Sequence, residues 1–258
     1  MFLSLVAALL AQAAAAPGAP PAPESTFAGT VGLGGVRLTG NSESTAVSFN
    51  AALEWKTPGW IYGFKGSGAY ARSTDPATGV ESTSALNGAA ALRGARRFTP
   101  VVSLYLEGDV DADHLKSIEW RPAAEVGTSL QLVDEKEGDF QTRSFRLDFG
   151  VRGGREYRFQ YYPNPDNPPD VTIAAPRGGF AFRYTLSRDA VLTDELTALV
   201  NLPDGGPRLL LNNVIKLATQ IQRKLAFAVS YTIAEDTSPP PGKMNLDTML
   251  TLALELTL

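Results

Sequence analysis

Only one residue of the chain carries an imidazole: His114, in the run DADHLKS, with Asp111 and Asp113 beside it. An imidazole flanked by carboxylates is the raw material of acid–base catalysis or of a metal site. Neither arrangement is complete here. Zinc catalysis takes three protein ligands, and a Ser–His nucleophile needs a third group to orient the imidazole. Loop carboxylates can bind calcium weakly through oxygen, yet the EF-hand spacing is missing. A solvated loop histidine accounts for His114 better than a catalytic one. The chain has no cysteine, which removes disulfides and thiolate metal sites. No catalytic residue, metal site or cofactor is expected.

Two glycine groups, GLGG (32–35) and GVRGG (150–154), have the composition of phosphate loops. Phosphate binding there requires a helix N-terminus after the turn, and no helix is predicted at either place. Bulges or close packing between neighbouring strands explain these glycines better.

The larger chemical set is ionic. Arg93, Arg97, Glu107, Asp109, Glu119, Arg121, Glu125, Arg146, Asp148, Arg152, Glu156, Arg158, Arg183, Glu195 and Lys216 fall on the polar parity of alternating runs. If those runs close into a barrel, these side chains line its lumen. They then form either a charged pathway that selects solutes or a paired plug that fills the interior.

The elements that would position them are strands. In STAVSFNAALEWK, Val47, Phe49, Ala51, Leu53 and Trp55 alternate with Ser48, Asn50, Glu54 and Lys56. Phe145, Leu147, Phe149, Val151, Tyr157, Phe159 and Tyr161 oppose Arg146, Asp148, Arg152, Glu156 and Arg158, with Tyr105 elsewhere the apolar exception on a polar face. Period two recurs over runs near 27–39, 44–56, 60–72, 82–96, 101–112, 117–133, 141–161, 171–187, 190–202, 208–221, 224–236 and 246–257. A capped 3.6-period stripe is absent. The fold class is all-β.

Most runs exceed ten residues, whereas soluble strands centre on ~5–6 and bilayer-spanning strands on ~9–11. The connections also sort into two alternating sets. TPG (57–59), RFTP (97–100), DEKEGD (134–139), SRD (187–189) and IQRK (221–224) are tight, while the others are mostly longer and rich in Pro, Asp, Asn and Gly. Short turns on one rim and longer loops on the other mark an outer-membrane barrel. The expectation is a closed antiparallel transmembrane β-barrel of about twelve strands, in which 246–257 closes against the first strand. Slipping one strand by a residue would exchange its faces, turning Arg146, Arg152 and Arg158 toward lipid at ~2–4 kcal/mol each near the midplane. Arg155 already falls on the outward parity, which predicts either a bulge at Gly153-Gly154 or a place at the membrane interface.

A formal charge of −4 and a pI near 5.2 give no basic footprint for nucleic acid. Residues 1–15 read as a secretory signal peptide, with an apolar run followed by small-residue cleavage sites but no basic residue before it. Residues 16–26 read as a Pro/Ala-rich linker and 27–258 as the barrel.

The stretch GLGGVRLTGNSESTAVSFNAALEWKTPGWIYGFKGSGAYARS (32–73), with its Gly40-Asn41 turn, and the closing LDTMLTLALELTL (246–258) resemble the salt-induced outer-membrane protein family, a domain family of unknown function. The resemblance spans roughly 28–258. It implies a Gram-negative outer-membrane barrel, porin-like and non-enzymatic, whose partners are outer-membrane lipid, the barrel-assembly machinery during biogenesis, and small solutes or ions. Leu258 stands where such a strand usually ends in an aromatic, which weakens the assembly signal. Two alternatives stay open: an outer-membrane phospholipase-like barrel enzyme, and a soluble periplasmic β-barrel binding protein.

Overall fold

Long runs of alternating character satisfy both of their faces only in a sheet, and a sheet of such strands avoids open edges only by closing. A computed structural model describes residues 25–38, 43–75, 78–137, 140–159, 168–202 and 207–258. The expected signal peptide, the linker as far as Glu24 and the Gly40-Asn41 turn lie outside these residues.

Among the described residues the chain forms twelve strands: β1 (Thr26–Leu38), β2 (Glu43–Lys56), β3 (Trp60–Thr74), β4 (Glu81–Arg97), β5 (Val102–Asp113), β6 (Ile118–Glu137), β7 (Phe140–Arg158), β8 (Val171–Thr185), β9 (Ala190–Asn201), β10 (Arg208–Gln222), β11 (Leu225–Asp236) and β12 (Leu246–Thr257). Each pairs antiparallel with its sequence neighbours, and β12 pairs with β1 to close the barrel. The seam runs from Thr30↔Thr257 to Leu33↔Leu254, and the Leu258 amide donates to the Gly29 carbonyl at 2.9 Å. The closing strand therefore does what its sequence predicts. A single 3-10 turn, His114–Lys116, is the helical element of the described residues.

The strand ends differ from expectation chiefly at one hairpin. β6 and β7 pair as far as Glu137↔Phe140, so the expected loop over 134–139 shortens. Polar pairing across the extension explains it: the Gln141 amide donates to Asp134 at 2.6 Å, and Arg143 lies 3.6 Å from Glu135. At Arg155 the bulge reading is corrected. The β7–β8 register runs unbroken through Gly153↔Ala174, Gly154↔Ile173 and Arg155↔Thr172. The irregular step sits instead in β6, between Ile118 and Trp120. Arg155 points outward near the long-loop rim, bonded to Asp170 at 3.1 Å.

The two faces have opposite character. Leu33, Leu92, Leu106, Val126, Phe149 and Leu254 are all more than half exposed on the outside. Aromatic rings gather toward both rims: Trp55, Trp60 and Tyr62 at the short-turn end, and Trp120 stacked on Tyr157 at 4.8 Å at the other. The interior holds buried polar groups and one small apolar cluster, Ile173, Ala175 and Leu199 with Leu210. That cluster is an apolar patch on a largely polar inner face.

Candidate functional site

Side chains on strands that are not neighbours can meet only on the inner side of a closed barrel. Ion pairs of this kind therefore map the interior directly. β4 and β7 meet through Arg93 and Asp148 at 2.9 Å, and β5 and β7 through Arg152 and Asp109, a bidentate contact. β6 and β8 meet through Glu125 and Arg177 at 2.7 Å, and β7 and β10 through Glu156 and Arg208 at 3.2 Å.

Tyr105 is the hub of the first network. Its ring is buried, and its hydroxyl donates to the buried Glu125 carboxylate. The Arg93 guanidinium lies 3.7 Å over the ring and donates to Ser129, Asp148 and Glu107. Arg146 adds a bond to Asp148 at 3.2 Å. The backbone makes room for the ring by glycine. A Cβ on Gly127 would stand 2.6 Å from Tyr105 Cζ, and one on Gly150 would stand 2.7 Å from its Oη. Gly150 belongs to the GVRGG group, so its role is close strand packing, as the sequence implies. Gly154 is similar: a Cβ there would meet the Pro122 carbonyl at 2.6 Å.

A second network occupies the long-loop end. Glu156, fully buried, accepts from Arg121, Arg158 and Arg208. Arg121 also grips Asp111 through two bonds, and Arg208 grips Asp236 in the same way. A third, smaller group joins Lys216 and Asn50 to Glu255. These buried, multiply bonded charges form walls rather than loose surface pairs.

Two further ion pairs are different in kind, because they cross the barrel. Lys65 on β3 meets Glu195 on β9, six places away in the ring of twelve and so directly opposite. Both side chains remain solvated, 59% and 46% exposed. Lys116, in the 3-10 turn between β5 and β6, meets Asp247 on β12 at 2.9 Å.

Of the residues expected on the inner face, twelve enter this system: Arg93, Glu107, Asp109, Arg121, Glu125, Arg146, Asp148, Arg152, Glu156, Arg158, Glu195 and Lys216. Arg183 shares the inner face, opposite Thr193, but its Nε is buried without a hydrogen-bond partner. Arg97 joins no ion pair among the described residues, and Glu119 is exposed at the irregular step of β6. Sequence reasoning missed Tyr105 as a member, along with Lys65, Asp111, Arg177, Arg208, Asp236 and Glu255. Parity carried a signal for most of them, since Arg177 shares its face with Arg183 and Glu255 with Thr251 and Thr257.

The outer face has one anomaly. Asp194 pairs with Phe182 on one side and Ile215 on the other, and it faces outward between Leu192 and Leu196. The Asn213 amide donates to it at 2.6 Å. Among the described residues it is the one charged side chain on that face away from the strand ends, which hold Arg72, Arg96, Arg143, Arg155 and Glu235.

His114 lies half-buried in the 3-10 turn, and no three His, Asp or Glu side chains of the described residues converge as a metal site.

The chain is a closed twelve-stranded antiparallel β-barrel whose interior is organised by charge. It belongs to DUF481, a family described as proteins of unknown function, whose model matches residues 31–257. No curated protein matches it. Among solved structures it is similar to the NanC porin (13% identity, 88% of this chain and 97% of that one, TM-score 0.44). It is also similar to the COG4313 outer membrane channel from Pseudomonas putida F1 (10% identity, 93% and 100%, TM-score 0.46) and to the KdgM porin in complex with disordered oligogalacturonate (8% identity, 90% and 98%, TM-score 0.40).

Proposed function

We propose that this barrel spans the outer membrane of a Gram-negative cell and conducts small solutes or ions through a narrow, charge-lined lumen, without catalysing a reaction. The membrane reading rests on the continuous exposed apolar face and its aromatic rims, an arrangement suited to hydrocarbon and headgroups and not to water. Lipid would be its solvent, and the barrel-assembly machinery its partner during biogenesis. The resemblance of its first and last strands to salt-induced outer-membrane proteins supports a role in the envelope under osmotic stress.

The observation that carries the conduction reading is the Lys65–Glu195 pair. A plugged interior would bury a pair joining opposite walls, yet both of these side chains are about half solvated. That exposure is what supports a wet lumen. A solvated pair of this kind holds by only ~0–1 kcal/mol, so thermal motion breaks it and opens the lumen. The buried walls, whose charges are multiply bonded, stay in place.

Planar-bilayer recording on refolded protein tests this. Discrete conductance steps that enlarge in Lys65→Ala or Glu195→Gln are expected. Silence of the wild type and both variants at all voltages would establish a plug.

A further inference from the structure

Resting on the channel reading, we propose that Lys116 and Asp247 form a latch across the long-loop mouth of the barrel, whose opening governs access to the lumen. The turn that carries Lys116 is built to hold it in place. The Asp113 carboxylate caps the turn, accepting from the Leu115 and Lys116 amides at 3.1 and 3.2 Å. Ser117 ends it with φ of 59°, in the left-handed region, and is completely buried. A non-glycine residue holds that conformation only where its surroundings enforce it. Here the Ser117 amide donates to the His114 carbonyl at 3.2 Å, and its own carbonyl accepts from the Phe159 amide at 3.1 Å. The turn is thereby tied to the end of β7.

From this fixed base Lys116 reaches far. β12 stands five places from β5 and six from β6 in the ring, so Asp247 lies on the opposite wall. A contact of 2.9 Å between them bars the mouth. The bar is also more easily released than the buried network of the wall beside it. Asp247 is 51% exposed and Lys116 31%, whereas Arg208 and Glu156, which link β10 to β7 nearby, are 2% and 0%. Water competes for the first pair and not for the second. Releasing Lys116 needs only side-chain rotation, because the capped turn stays where it is. The latch and the Lys65–Glu195 bar thus stand in series along one path.

The chain has no native cysteine, so Lys116→Cys with Asp247→Cys places the only two thiols in the full-length protein. In the refolded protein, a flexible bifunctional methanethiosulfonate whose span replaces the reach of the lysine side chain is expected to join them, shown by loss of free thiol and a shift in gel mobility. It should lower single-channel conductance or open time several-fold, with recovery on adding reductant. Asp247→Lys, which repels Lys116, should lengthen openings, and adding Lys116→Asp should restore wild-type gating. Failure of the thiols to join, or conduction indifferent to joining and to charge reversal while wild type conducts, overturns the latch alone. Silence of wild type and every variant, with the cross-link formed, overturns the channel reading and the latch with it.

Discussion

The Tyr105 hydroxyl donates to the Glu125 carboxylate inside the barrel, with the Arg93 guanidinium laid 3.7 Å over the same ring. An aromatic ring on the polar parity of β5 thus serves as the platform that bonds a buried acid and carries a half-buried guanidinium, while the second Glu125 oxygen has only Arg152 near it, at 3.8 Å. Tyr105→Phe keeps the ring and removes one bond from a buried charge. It should cost ~1–3 kcal/mol, read as a lower urea midpoint for unfolding in detergent micelles. An unchanged midpoint would mean that Glu125 draws its support from Arg177 and Arg152.

The space for that ring is made by glycine. Gly127→Ala would set a Cβ 2.4 Å from the Phe149 carbonyl oxygen as well as against Tyr105. Backbone cannot yield as a side chain does, so a loss of ~1–3 kcal/mol is expected. Gly153→Ala, where a Cβ meets nothing within 4 Å, should stay within ~0.5 kcal/mol of wild type. Equal effects at the two positions would contradict the packing argument.

Walls and bars should respond differently to truncation. Arg208→Ala takes one of three guanidinium partners from the buried Glu156 and the bidentate one from Asp236, and breaking a buried pair from one side costs up to ~3–5 kcal/mol. Lys65→Ala breaks a solvated pair and should change stability by no more than ~1 kcal/mol while altering conductance. Comparable unfolding midpoints for the two variants would remove the distinction.

Asp194 and Asn213 place a carboxylate and an amide on the outer face near mid-strand. A lipid-facing charge is unfavourable there, less so for Asp than the ~2–4 kcal/mol of Arg or Lys. Replacing both residues with Leu should therefore raise the unfolding midpoint in lipid vesicles. A lowered midpoint would mean that the pair is held by something other than lipid.

Strand number, seam and inside–outside sorting were legible because period two over ten or more residues records which face each side chain takes. Parity put Arg93, Arg121, Arg152 and Glu156 on the polar face, and ion pairs between non-neighbouring strands run through Arg93, Arg152 and Glu156. What parity cannot carry is distance across the lumen. Lys65 and Glu195 are 130 positions apart, and their meeting depends on closure and on the reach of two flexible side chains. Tyr105 was visible as an exception, but its meaning depended on Gly127 and Gly150 lying beneath the ring. Asp194 was readable from its spacing to Leu192 and Leu196, and only the β9–β10 register reveals Asn213 as its partner. Arg155 shows the limit at rims, where outward parity and polarity coexist because Asp170 and water are at hand.

The central claim is a barrel greasy outside and wet inside. Single cysteines at Leu104, Phe149 and Leu252 on the outer face, and at Lys65 in the lumen, test both halves at once in membranes with a small water-soluble maleimide. Labelling of the Lys65→Cys protein alone is the expected result. Free labelling at 104, 149 and 252 in the assembled protein, with position 65 protected, would contradict the account.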